Sequence, residues 1–450
     1  MSAEQYTYIL GGGPAGLSAA YYAQKNNMPF HLFESSSQFG GNCRTLAFKE
    51  FLFDTGAHRF HNKNKEATEL VKELLGNDLR LVTSPSKIFW NNKYIEFPID
   101  AKDILRQVGL CTNLNILFDK ITNQFRGKSK VLSFKESSYH KYGQTLADMF
   151  LINYTEKLWG EKADNLCPTI SGGRLKNLNL LSVIRSFFLS KNVDVEHLDG
   201  SFLYPKYGFG TIFDSISQSL AEDSVSLNSP ISNLIYNKSK IESIVFNDGM
   251  SIDGCDVKNI ISTLPVSFLI KCLYPRVPVD IINAIDGLKY RNLRLFVFFL
   301  DTHKFSDNAS IYFPQSDVPF TRIYEPKNRS KNMAPKDKTC IVVEMPYDSE
   351  ASKDEIDQYN IDYLKKILVE KKLLSIDIII DSIIVDIPYA YPVITTDIQS
   401  RLDKVSSYLN RFKNLHVVGR SADFNYLHVH DLLMMSKNII SKINKVSPTL

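Results

Sequence analysis

Residues Gly11 to Gly16 read G-G-G-P-A-G and follow directly on the apolar stretch Tyr6–Leu10. Each glycine of a G-x-G-x-x-G turn has its own steric duty. Gly11 permits the tight exit from a strand. Gly13 lets the backbone approach a pyrophosphate, and Gly16 lets the next helix pack close to the sheet. Leu17, Ala20 and Tyr21 keep helical spacing, so a helix is expected from Pro14 to about Asn26. Its N-terminal N–H groups and dipole favour an anion. A second apolar run, Pro29–Phe33, ends on Glu34, followed by Ser35. A carboxylate there accepts hydrogen bonds from ribose hydroxyls and repels a 2′-phosphate. Strand, turn, helix, strand and acid in this order specify a dinucleotide-binding βαβ unit at the start of the chain.

The rest of the chain must complete that unit. A length of 450 residues suggests about three domains. Hydrophobic content of 44% and charged content of 23% are those of an ordinary globular protein with a large core. A net charge of +4 argues against nucleic-acid binding. The six cysteines form no C-x-x-C pair, so reduced thiols, no metal site and a cytoplasmic setting are expected. The most apolar run, Leu295–Leu300, is too short to span a bilayer and reads as a buried strand. Gly208-Phe-Gly210 lacks a third glycine, so no second dinucleotide domain is expected.

Further along, Trp90–Ile95 reads as a hairpin around Asn91-Asn92, and residues 100–200 read as mainly helical. Short strands are expected over 224–263 and from Leu293 to Pro346, and helices over 354–371, 397–411 and from about 431. His428 and His430 read as alternating on one face of an extended segment.

Several motifs together resemble one family. They are GGGPAGLSAA, HLFESSSQFGGNCRT, FDTGAHRF, the Tyr154–Gly160 segment YTEKLWG, ISGGRLKNLNL, YPKYGFGT, PFTRIYEP, YAYPVI and VVGRSADFNYLHVHD. The resemblance spans nearly the whole chain and is to the FAD-dependent amine-oxidase superfamily, in its protoporphyrinogen-oxidase-like and UDP-galactopyranose-mutase-like branch. It implies an α/β fold, with a Rossmann-like FAD-binding domain interleaved with a helical plus antiparallel β-sheet substrate domain. The FAD domain would comprise 1–98, 201–270 and 386–450. The helical part would be 99–200 and the sheet part 271–385.

The resemblance also implies site residues. Gly11, Gly13, Pro14, Ala15, Gly16, Glu34 and Ser35 would bind the ADP moiety. Gly41, Asn42 and Arg44 would approach the pyrophosphate and flavin. Gly56, Ala57 and His58 would face the isoalloxazine, and Gly419 and Arg420 would close over the ribityl chain. His58, Tyr389 and Tyr391 are the candidate catalytic residues. Trp159, Arg174 and Arg322 are the candidate substrate contacts. Each has a structural alternative: a satisfied core histidine for His58, aromatic core for Trp159, and buried ion pairs for the arginines, Arg322 with Glu344. Three positions depart from the family. Asn425 and His430 stand where the mutases carry arginine and aspartate, and Arg294 stands where many amine oxidases carry a lysine near the flavin. The implied function is hydride transfer from a small-molecule substrate to flavin N5. The alternatives are a redox-neutral nucleotide-sugar mutase using reduced flavin, and a non-enzymatic FAD-stabilised binding protein. Oligomeric state is left open.

Overall fold

The computed structural model describes residues 6–97, 99, 101–125, 133–171 and 201–446. The opening βαβ unit forms as its glycines require. Tyr6–Leu10 and Phe30–Phe33 pair in parallel, and the helix Pro14–Lys25 connects them. They sit inside a five-stranded parallel sheet of order Leu415–Val417, Val257–Ser262, Tyr6–Leu10, Phe30–Phe33, Val225–Ser226. Three segments far apart in sequence thus meet in one sheet, because a parallel strand needs a crossover and both faces covered. The long helix Val429–Val446 covers the phosphate helix: Ser18 Oγ donates to Leu433 O (3.1 Å) and Ser436 Oγ to Ala15 O (2.8 Å). His430 therefore lies in a helix and not in the expected extended segment, and His428 immediately precedes it.

A second, mainly antiparallel sheet of seven strands runs in the order Ile379–Pro392, Tyr290–Leu300, Thr339–Asp348, Arg322–Tyr324, Ser310–Tyr312, Ser86–Trp90, Lys93–Phe97. Tyr290–Leu300 is buried on both faces. Phe296, Phe298 and Leu300 pack with Leu364 and Leu368 of the helix Ile361–Glu370. Leu295, Val297 and Phe299 pack with Phe51 and Phe53. This double coverage is why the strand reads as one apolar run rather than an alternation. The Asn91-Asn92 turn forms with both residues at positive φ (48° and 59°), the conformation a two-residue hairpin demands.

Strand pairing redraws the expected boundaries. The hairpin Ser86–Phe97 joins the seven-stranded sheet through Ser310–Tyr312, and Ile379–Pro392 runs unbroken across residue 385. Unpaired edge N–H and C=O groups draw these segments to the larger sheet.

Candidate active site

The phosphate turn is held together by contacts only glycine allows. Gly11 has φ 99°, and its N–H donates to Phe33 O (2.8 Å). A Cβ on Gly16 would lie 1.8 Å from Gly11 O, so the helix can approach the strand only as glycine. Gly13 differs: a Cβ there meets nothing nearer than Gly41 Cα at 3.9 Å. The protein itself does not exclude a side chain at Gly13. Pro14 occupies the first helical turn, and no side chain caps the helix. Ala15 follows, buried. Glu34 is fixed from both sides. Oε2 accepts from Gly12 N (2.6 Å), and Oε1 accepts from Ser36 N (2.8 Å) and Ser35 Oγ (3.2 Å).

The Gly40-Gly41 doublet closes on this turn. Gly40 N donates to Gly12 O (2.9 Å), and Gly41, at φ 53°, lies where a Cβ would be 3.1 Å from Gly13 Cα. The chain then passes through Asn42, whose Nδ2 donates to Pro388 O (2.9 Å), and Arg44, whose Nε is buried with no hydrogen-bond partner.

The strand Phe51–Asp54 delivers Gly56, Ala57 and His58 to the same region. A buried network fixes this delivery. The Asp54 carboxylate accepts from Tyr204 OH (2.5 Å), Thr45 Oγ1 (2.7 Å) and Phe209 N (2.9 Å). Its backbone O accepts from Tyr324 OH (2.6 Å). Arg329, stacked over the Tyr324 ring at 4.6 Å, donates to His58 O (2.9 Å). Burial raises the Asp54 carboxyl above the usual range. Ala57 N donates to Glu344 Oε1 (2.9 Å). His58 Nε2 lies 2.8 Å from Asn42 O, which can only accept, so the neutral ring carries its proton on Nε2. Burial pushes the His58 imidazole down to about 3.

Beside this turn three aromatic rings enclose a guanidinium. Arg420 lies over Tyr391 (5.1 Å) and Tyr426 (4.4 Å), whose rings stack at 17°. Trp159 abuts both at 5.8 Å. Arg420 Nε and Nη2 are buried without a hydrogen-bond partner. Arg291, the cross-strand partner of Tyr391, lies against Gly160, where a Cβ would come 2.4 Å from its Nη1. Its Nε is also buried and unbonded, and burial lowers its pKa. Burial pushes the Tyr391 phenol up to about 12.

Several expected residues stand elsewhere or act otherwise. Arg322 is tied to Glu344 (Nε–Oε2 2.7 Å) rather than left free. Tyr389 does not join Tyr391. Its φ of 52° breaks the strand alternation, and its ring packs on Tyr290 at 5.1 Å, 39% exposed. Arg294 makes two 2.8 Å bonds to Asp386 and donates to Ile356 O, on the sheet face away from Ala57. Asn425 is exposed, and His430 is buried beside Asp431. Arg174 lies outside the described residues. Sequence reading passed over Arg291, Tyr426, Asp54 and Arg329. Its place near the head of the strand that runs into the apolar Leu295–Leu300 was the one available signal for Arg291.

The open flank of Gly13, the uncapped helix and the unbonded guanidinium nitrogens of Arg44 and Arg420 together suit an extended ligand bearing a pyrophosphate. Glu34, as a ribose acceptor, and the turn Gly56–His58 would lie at its two ends. FAD fits this set. Gly11–Gly16, Glu34, Ser35 and Gly41 would hold its ADP half, and Asn42, Arg44, Ala57, Gly419 and Arg420 its flavin half. Among the described residues there is no group of three or more His, Cys, Asp or Glu side chains placed to hold a metal ion. No helix there is long and apolar enough to cross a membrane.

Comparison with known proteins agrees with this cradle. The chain is 25% identical to mitochondrial protoporphyrinogen oxidase of Nicotiana tabacum over 248 residues, 50% of this chain and 49% of that enzyme. It is 27% identical to coproporphyrinogen III oxidase of Bacillus subtilis over 200 residues, 41% of this chain and 40% of that enzyme. The matches thus span less than half of either relative. A structure of reduced UDP-galactopyranose mutase superposes with a TM-score of 0.87 at 17% identity, covering 99% of this chain and 97% of that one, which shows a shared fold. The model of the family described as flavin containing amine oxidoreductase matches residues 14–422. The chain belongs to the flavin containing amine oxidoreductase family.

Proposed function

We propose that this enzyme acts on a nucleoside-diphosphate sugar and rearranges it without net oxidation, in the manner of a mutase. The observation that carries this reading is the buried Arg291, its Nε unbonded, set against Gly160 and opposite Tyr391 at the edge of the Trp159–Tyr391–Tyr426 cluster. A buried cation with an unsatisfied donor is costly unless an anion joins it. A protonated amine would be repelled here, so amine substrates are disfavoured. A porphyrinogen spreads its carboxylates around a wide macrocycle, whereas Arg291 is confined between Gly160 and Tyr391. A diphosphate presents its charge in a small volume, and Arg forks match its oxygens.

When bound and reduced, FAD would supply a nucleophilic nitrogen. The chain's own part is to stabilise the departing diphosphate. Arg291 would neutralise the charge that develops on its bridging oxygen. The Tyr391 phenol, pushed up to about 12, stays protonated and can donate. Alcohol oxidation needs a base, and neither His58 nor Glu344 is available as one. His58 is pushed down to about 3, and Glu344 is engaged on both oxygens.

The test is a titration of holoenzyme with UDP and TDP, followed by flavin absorbance, once oxidised and once chemically reduced. We expect spectral perturbation by millimolar nucleotide and sugar rearrangement only after reduction. No perturbation by either nucleotide, in either flavin state, would sink the reading.

A second reading is hydride removal from an anionic organic substrate. It is favoured by the local likeness to two porphyrinogen oxidases. Bleaching of the oxidised flavin by a porphyrinogen, with no response to UDP or TDP, would select it.

A further inference from the structure

The helix Leu110–Phe125 is mounted with its apolar side outward. Leu110, Leu114, Leu117, Phe118 and Ile121 are 84%, 65%, 54%, 65% and 57% exposed. Its inward side is the more polar one. Asp119 Oδ2 accepts from Thr145 N (2.6 Å), and Asn113 Nδ2 donates to Val108 O (3.4 Å). Ile116 packs on the small cluster of Ile104, Val108, Leu146 and Phe150. Gly143 approaches so closely that a Cβ would sit 2.8 Å from Asp119 Cβ. These contacts fix the rotation of the helix, so the outward apolar face is part of the fold. A contiguous exposed apolar face of this kind marks an interaction surface.

Its spacing says what kind. Leu110, Leu114, Leu117 and Ile121 follow a four-three-four pattern, the seam by which one helix packs along another. The other exposed members of the face among the described residues are Cys111 and Asn115, both uncharged. An anionic lipid surface would instead call for lysine or arginine interleaved with the apolar residues. With side chains of about 180–200 Å² each, the five apolar residues expose roughly 600 Å², and a symmetric pair would bury about 1,200 Å², the lower end of stable interfaces.

We propose that Leu110–Phe125 is the dimer interface of this protein, with a second copy of the same helix packed on it about a two-fold axis. An isologous contact suits one self-complementary face. The test is sedimentation velocity of the FAD-loaded full chain against the double variant Leu117→Glu/Phe118→Glu. We expect the wild-type chain to be dimeric. The variant should be monomeric, with a dissociation constant raised at least about 100-fold and the flavin spectrum and circular dichroism unchanged. Both positions are exposed in the single chain, so the variant retains its fold. A wild-type chain that stays monomeric up to about 100 μM would overturn the proposal. So would a dimer that survives the substitutions. Wild-type monomer that pellets with phosphatidylglycerol–phosphatidylcholine vesicles, while the variant does not, would reassign the face to lipid.

Discussion

Arg322 and Glu344 face each other across two adjacent antiparallel strands, with Nη2 2.5 Å from Oε2 and the carboxylate side chain 2% exposed. The same carboxylate accepts the Ala57 N–H through Oε1. One buried acid therefore links the seven-stranded sheet to the turn that presents His58. Removing only the charge should be severe, because an unpaired guanidinium remains in low dielectric. Glu344→Gln is expected to cost about 3–5 kcal/mol, read by urea unfolding of the holoenzyme. Arg322→Met/Glu344→Leu together should cost less than Glu344→Gln alone. A loss below about 1 kcal/mol for Glu344→Gln would put the pair in the class of surface ion pairs instead.

Two glycines of one turn should respond differently to the same methyl group. Gly16→Ala places Cβ 1.8 Å from Gly11 O and should prevent folding of the unit. Gly13, at φ −75°, has room for alanine in the protein alone. Gly13→Ala should leave the apoprotein's thermal unfolding unchanged and weaken FAD at least about tenfold, since backbone must approach the pyrophosphate there. Equal effects of the two substitutions on the apoprotein would contradict the assignment.

His58 should make the protein acid-sensitive. Burial pushes its folded-state pKa down to about 3, below the value of 6.5 for an unperturbed imidazole. The unfolded chain therefore binds the extra proton between these values, and stability falls as pH drops from about 6.5 towards 3. His58→Gln keeps a donor for Asn42 O and cannot titrate. Its stability should decline less than that of the wild type over this window, measured by chemical denaturation at stepped pH. Parallel profiles would mean that the ring already titrates normally in the fold.

Arg291 should separate binding from stability. It is buried with an unbonded Nε, and burial lowers its pKa. Arg291→Met removes a desolvated charge at similar volume, so thermal stability of the FAD-loaded chain should hold or rise. Affinity for UDP or TDP by calorimetry should fall at least about tenfold. Destabilisation with unchanged nucleotide affinity would make it a structural cation.

The cofactor half of the site was legible because its constraints are local. Gly16 and Glu34 act within one βαβ unit, Gly16 against Gly11 O and Glu34 on Gly12 N. The substrate half was legible only in part. Trp159, Tyr391 and Arg420 were singled out from motifs, and the rings do meet around the guanidinium. Tyr389, two positions before Tyr391, was expected beside it. A left-handed residue in the strand turned it towards Tyr290.

What the sequence by itself determined is the dinucleotide unit, the buried strand Leu295–Leu300 and the hairpin at Asn91-Asn92, each governed by short-range spacing. Tertiary structure alone decided which charges are paired. Arg322 finds Glu344 across a strand pair, whereas Arg420 lies over the cage rings with Nε and Nη2 unbonded. It also decided that the helix Leu110–Phe125 turns its apolar side outward, through an Asp119 contact to Thr145. Pairing and exposure are set by elements distant in sequence, and periodicity along one segment carries no record of what the rest of the chain brings against it.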